Sequence, residues 1–122
     1  MDQSLGKSEK LKSKKLIDLL FQQGNSLKAF PLRLVFIETP LPHPDVSVQV
    51  GFSVPKRIHK LAVTRNRIKR LMRQAYRTNK QMLDTKGTTF ALLFICQHQK
   101  VPGQEQLSKA MQSILQKFND TL

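Results

Sequence analysis

The residues of this sequence best suited to chemistry are cations, and several stand on one helical line. Asn66, Arg70, Arg73 and Arg77 fall at i, i+4, i+7 and i+11, which on an α-helix makes a single ridge about 16 Å long at 1.5 Å per residue. An arginine fork donates two hydrogen bonds to a phosphate and keeps its charge at every accessible pH, while an asparagine amide donates and accepts at a base edge or ribose hydroxyl. Such a ridge suits a phosphate backbone. The plainer alternative is a solvated charged face, but those faces mix signs for i, i+4 pairing. Here no acidic residue occurs between Asp45 and Asp84. Like charges four residues apart oppose a helix by roughly a few tenths of a kcal/mol per pair, which a bound polyanion offsets.

No other constellation suggests catalysis by the protein itself. His43, His59 and His98 are scattered, with His59 read as a surface residue of a basic turn, and the 8 carboxylates form no local cluster for a metal ion. Cys96 is the single cysteine, so an internal disulfide or zinc cluster is excluded and a small core residue is the simplest reading. The chain has 122 residues and a net charge of +13, from 21 Lys+Arg against 8 Asp+Glu. Residues 56–80 hold ten of the basic ones, including Lys56, Arg57, Lys60, Arg65, Arg67, Lys69 and Lys80 beside the ridge. A polyanionic partner is the leading expectation. The longest apolar run, Phe90 to Cys96, has seven residues, against about 20 for a membrane-spanning helix. With no signal-peptide pattern in residues 1–15 and a lone cysteine, the expected location is the cytoplasm.

The elements that must position these residues are legible as changes of period. Ser13 caps a helix over residues 13–23 carrying Leu16, Ile17, Leu20 and Phe21, with Gly24 at its end. A strand over 32–37 precedes a loop containing Pro40, Pro42 and Pro44. Residues 46–54 alternate without a miss, placing Val46, Val48, Val50, Phe52 and Val54 on one face and Ser47, Gln49, Gly51 and Ser53 on the other. The spacing then predicts a helix over 58–82, whose apolar arc is Leu61, Ile68, Leu71, Met72, Ala75 and Met82 and whose opposite arc is the basic ridge. A buried strand over 88–96 and a helix over 104–118 close the chain. This order implies an α+β single-domain sandwich, three helices on a small mixed sheet. Residues 1–9 are read as a flexible basic N-terminus and 10–122 as one domain.

The stretch Val50-Gly-Phe-Ser-Val-Pro-Lys-Arg57, followed by Ala62-Val-Thr-Arg-Asn-Arg-Ile-Lys-Arg-Leu-Met-Arg-Gln74, strongly resembles the bacterial ribonuclease P protein component and its RNR box. Phe21-Gln-Gln-Gly24 at the end of the first helix agrees, so the resemblance extends over residues 10–118. It implies a fold like the second domain of ribosomal protein S5, with a left-handed strand–helix–strand crossover, an exception to the usual hand. It also implies that the protein binds the catalytic RNA through the RNR helix and the 5′ leader of precursor tRNA through a cleft between the first helix and the sheet. Hydrolysis falls to the RNA with Mg2+, and one protein serves each catalytic RNA. No cofactor on the protein itself is implied.

Carried onto this sequence, the resemblance assigns Lys56, Arg57, Arg65, Asn66, Arg67, Lys69, Arg70, Arg73 and Arg77 to the catalytic RNA. Ile17, Phe21, Arg33, Val35, Ile37, Gln49, Ser53 and Arg57 are assigned to the leader cleft. Where the family often carries aromatic residues, this chain has Ile17 and Val35, leaving base stacking to Phe21 unless that ring is an ordinary core residue. A DNA-binding role is disfavoured because no helix joined by a short turn precedes the basic helix. A membrane-surface helix is disfavoured because the apolar arc is needed to cover the sheet. A basic ribosomal-type or RNA-chaperone protein shares the charge but not the RNR box.

Overall fold

The computed structural model describes residues 9–41 and 46–122; His43, Pro42, Pro44 and the stretch 1–8 read as flexible lie outside the described residues. The elements are α1 (Lys14–Gln23), β1 (Asn25–Ala29), β2 (Leu32–Glu38), β3 (Val48–Ser53), α2 (Ala62–Asn79), β4 (Phe90–Cys96) and α3 (Gln104–Thr121), with a 3-10 turn at Lys80–Met82. The sheet order is β1-β2-β4-β3. β1 and β4 both flank β2 antiparallel, while β3 and β4 are parallel neighbours joined through α2. The result is a mixed four-stranded sheet with three helices.

Local chemistry sets the ends of these elements. The Ser13 hydroxyl accepts from the Leu16 N–H at 3.3 Å and starts α1. α1 stops at Gly24, whose N–H donates to the Leu20 carbonyl at 2.9 Å. Glycine is required there by close approach: a Cβ would sit 2.3 Å from the Leu20 oxygen and 2.9 Å from Val35 Cγ1. α2 begins at Ala62, four residues later than its period suggests, because the preceding residues form a turn. In that turn the Ile58 and His59 N–H groups donate to the Pro55 carbonyl at 3.1 and 3.2 Å. At its other end the Asn79 amide donates to the Ala75 carbonyl at 2.8 Å and accepts from Gln112 of α3 at 3.1 Å.

The main core lies on one face of the sheet. Leu32, Leu34 and Phe36 of β2, Val48 and Val50 of β3, and Leu92, Phe94 and Cys96 of β4 meet Ile68, Met72, Ala75 and Tyr76 of α2 and the apolar stripe of α3. Each Val, Leu, Ile, Phe or Met side chain among them contributes about 1.5–3 kcal/mol when fully buried. The other face carries a smaller cluster, Val35, Ala91, Leu93 and Ile95 beneath Leu11 and Leu20. β4 is therefore buried on both faces, which is why its sequence is continuously apolar rather than alternating.

β1 was not legible from the sequence. Its residues Asn25-Ser-Leu-Lys-Ala29 contain one large apolar side chain, and as an edge strand only Leu27 and Ala29 pack against the core.

Candidate nucleic-acid interface

The buried stripe of α2 fixes what its opposite side can present. With Ile68, Met72, Ala75 and Tyr76 turned into the core, Asn66, Arg67 and Arg70 are exposed, and Lys69, Arg73 and Arg77 are half-buried. The Arg77 guanidinium donates to the Gln74 side-chain oxygen, so it is partly engaged along its own helix. The start of α2 has neither a side-chain cap nor an acidic residue in its first turn. Its free N–H groups add partial positive charge to the same surface.

Arg65 acts differently from the rest of the ridge. Its Nη1 donates to the His59 carbonyl at 2.9 Å and to the Lys60 carbonyl at 2.8 Å, clamping the turn that exposes Lys56, Arg57 and Lys60. Arg65, which the resemblance assigns to the catalytic RNA, thus also fixes the turn. His59, read as a surface residue, is buried, with Nε2 at 2.8 Å from the His98 carbonyl oxygen.

Two cations that the sequence reading left out join the ridge from the N-terminal segment. The Leu11 N–H donates to the Val50 carbonyl at 3.0 Å, Lys10 bridges to Val50 in parallel register, and Glu9 pairs with Lys80 at 3.4 Å. Residue 9, assigned to a flexible tail, is thus in contact with the 3-10 turn. This pairing sets Lys10 and Lys12 beside Lys69 and Arg73 around a cavity of about 350 Å³, floored by Gly51 and Phe52. The Arg73 guanidinium lies 5.6 Å from the centroid of the Phe52 ring, a cation–π contact that holds it over the sheet edge. The Lys-rich composition of residues 10–15 was visible in the sequence; its pairing with β3 was not.

The groove on the other face follows from the path of α1. Leu11 lies against Gly51 of β3 and Gly24 against Val35 of β2, and Gly51, Leu93 and Val35 form one cross-strand row. The segment from Leu11 to Gly24 therefore crosses the strands and roofs that row. Two residues along lies the row Ser53, Ile95, Arg33 and Lys28. Arg33 and Ser53 are half-buried there, and Lys28 is exposed. Arg33 Nε is buried with no hydrogen-bond partner among the described residues, which leaves a desolvated donor beside the groove.

Several expected groove residues are corrected by this geometry. Val35 is buried under α1, in contact with the helix end, and Gln49 is buried; neither forms an open wall. Ile17 and Ile37 are half-buried against the same small cluster. Phe21, by contrast, is 62% exposed, so it is not a core residue. The open positions are Phe21, Arg33, Ser53 and Lys28, with Arg57 exposed in the turn after β3.

Burial favours the protonated forms of Tyr76 and Cys96. It raises the Tyr76 hydroxyl well above its ordinary range, reinforced by the charge of Glu9, and it pushes the Cys96 thiol up. A protonated buried thiol is a poor nucleophile.

A family model for ribonuclease P matches residues 5–119 of this sequence. The chain belongs to the ribonuclease P protein family. Among curated relatives, a ribonuclease P protein component of Chlorobium phaeobacteroides is 45% identical over 84 residues, 67% of this chain and 58% of the relative. A ribonuclease P protein component of Porphyromonas gingivalis is 32% identical over 115 residues, 91% of this chain and 83% of the relative. Solved ribonuclease P proteins share the fold. That of Staphylococcus aureus superposes with a TM-score of 0.70 at 18% identity, covering 92% of this chain and 96% of that one. That of Thermotoga maritima gives 0.71 at 19%, covering 89% and 96%.

Proposed function

We propose that the chain is the protein subunit of ribonuclease P, binding the catalytic RNA and the 5′ leader of precursor tRNA so that the RNA removes the leader. The observation that carries this reading is the division of α2, whose apolar stripe is spent on the core while Asn66, Arg67 and Arg70 stand exposed with no acidic residue on the helix. Lys69, Arg73, Lys10 and Lys12 extend that surface around the sheet edge. Neutralising RNA phosphates there releases counterions and places the protein against the ribozyme. On the other face, Phe21 offers a ring for a leader base while Arg33, Arg57 and Lys28 hold the strand's phosphates.

In this scheme the magnesium ions that activate the attacking water are bound by the RNA. The protein contributes charge and substrate positioning, one copy to each catalytic RNA, and no residue of its own moves a proton. The test is cleavage of precursor tRNA by a bacterial ribonuclease P RNA at low magnesium, with and without this protein. Cleavage at the mature 5′ end is expected from the pair and not from rigorously RNA-free protein. Magnesium-dependent cleavage by the protein alone, or no stimulation of the RNA, contradicts the proposal.

A further inference from the structure

The chain has seven phenylalanines, and their placement is uneven. Phe36, Phe90, Phe94 and Phe118 are buried in the main core and Phe52 packs against it. Only Phe21 and Phe30 are strongly exposed, at 62% and 70%. Phe21 belongs to the α1 groove, but Phe30 has no part in that site. It occupies the turn between Ala29 and Leu32, which pair across β1 and β2.

The Phe30 ring is open yet held in place. It meets the His98 ring with centroids 4.7 Å apart and planes inclined at 61°. Beneath it, the Gln97 N–H donates to the Pro31 carbonyl at 3.2 Å, tying the hairpin turn to the end of β4. The contact between His59 Nε2 and the His98 carbonyl at 2.8 Å ties the end of β4 to the basic turn, and Arg65 clamps that turn from α2. The three segments that converge here, 29–33, 54–61 and 95–100, carry Lys56, Lys60 and Lys100 in addition to the groove residues Arg33 and Arg57, and no acidic residue. An exposed aromatic face on a basic, acid-free end of the sheet matches a nucleotide: the ring stacks the base while lysines of the converging segments hold the flanking phosphates.

We propose that Phe30, braced by His98, is a second base-stacking platform and that its occupant is an unpaired nucleotide of the catalytic RNA. The catalytic RNA is favoured over the leader because the hydrogen-bonded chain His98, His59, Arg65 leads to the start of α2, the helix of the RNA-facing ridge. This inference rests on the proposed function, and the experiment separates the two.

The sequence contains no tryptophan, so Phe30→Trp places the one tryptophan, excited apart from Tyr76, at the platform. Its emission is expected to be quenched on titration with ribonuclease P RNA alone, before any precursor tRNA is added. Phe30→Ala is expected to weaken binding to that RNA by roughly 5- to 150-fold, with the salt dependence unchanged because no charge is lost. Phe30→Tyr restores binding. Circular dichroism checks that each variant keeps the fold. If the parent protein binds the RNA and stimulates cleavage but Phe30→Ala binds within twofold of it, or Phe30→Trp is not quenched, this inference fails and the proposed function stands. Quenching that appears only with leader-bearing precursor assigns the platform to the leader and equally overturns it. A parent protein that binds no ribonuclease P RNA fails both.

Discussion

On one face of the sheet, α2 and α3 seal Leu34, Leu92 and Phe94 completely. On the other, the single helix α1 covers Val35 and Leu93 and leaves Arg33 and Ser53 at intermediate burial, with Phe21 in solvent. Both faces use the same strands and the same alternation. What differs is how many helices cover them, so one face stabilises the fold and the other keeps a groove beside a thin core. The basic ridge is on the outer side of the sealing helix α2, and the groove is on the opposite side of the sheet. The two proposed RNA-binding surfaces thereby lie on opposite faces of the sheet and approach each other only around β3 and the turn that follows it, where Arg57 is exposed.

The comparison can be broken first by stability. Phe94→Ala, which removes a ring stacked on Phe52 and tilted against Tyr76, is expected to cost about 3–5 kcal/mol. Leu20→Ala, under α1, is expected to cost about 2 kcal/mol, the low end of that class, because its cluster is small and open at one side. Urea unfolding of both variants checks the order; an equal or larger loss at Leu20 would erase the distinction between the faces. Gly24→Ala is expected to cost about 1–3 kcal/mol, since its Cβ overlaps the Leu20 carbonyl and Val35 and α1 must shift. The same denaturation measurement applies, and a neutral result would mean that α1 is not pinned where it crosses the sheet.

The sequence was informative about the sealed face and less so about the groove, for physical reasons. Alternation in residues 46–54 and the stripe of Ile68, Met72 and Ala75 identify buried positions directly, because burial of apolar area selects residue type. The alternation of a strand over residues 32–37 likewise puts Arg33, Val35 and Ile37 on the face opposite Leu32 and Leu34. It does not say which of those residues a helix will roof. That depends on where α1 crosses, set by Leu11 at Gly51 and Gly24 at Val35, contacts far apart in sequence. Hence Val35 and Gln49 were expected in an open wall and are buried. The burial of His59 and the turn-fixing role of Arg65 were not legible for a related reason: their partners are backbone carbonyls, which leave no mark on residue type.

The ridge is sharpened by salt dependence rather than by stability. Arg70→Ala and Arg73→Ala are each expected to reduce the slope of log affinity against log salt for the catalytic RNA by about 0.7–0.9. Asn66→Ala is expected to lower affinity with the slope unchanged. Filter-binding titrations from low to moderate salt distinguish these outcomes, and three identical slopes would contradict the assigned roles.

The smallest expected effect is on the sealed face at alkaline pH. Burial raises both Tyr76 and Cys96, so the folded protein holds these protons after the unfolded chain has released them. Their contribution is fully present below the ordinary thiol value of 9.0 and declines as pH rises beyond it. The melting temperature is expected to be level across neutral pH and to fall above about pH 9, less steeply in Cys96→Ala. Melts across that range check it.

The separation of the two surfaces is tested most directly by Phe21→Ala in the assembled holoenzyme, comparing affinities for precursor and mature tRNA. Because only the precursor has a leader to lay against the ring, its affinity is expected to fall by about 1–3 kcal/mol while mature tRNA and the catalytic RNA bind as before. Equal losses for precursor and mature tRNA, or a loss of affinity for the catalytic RNA, would contradict the account.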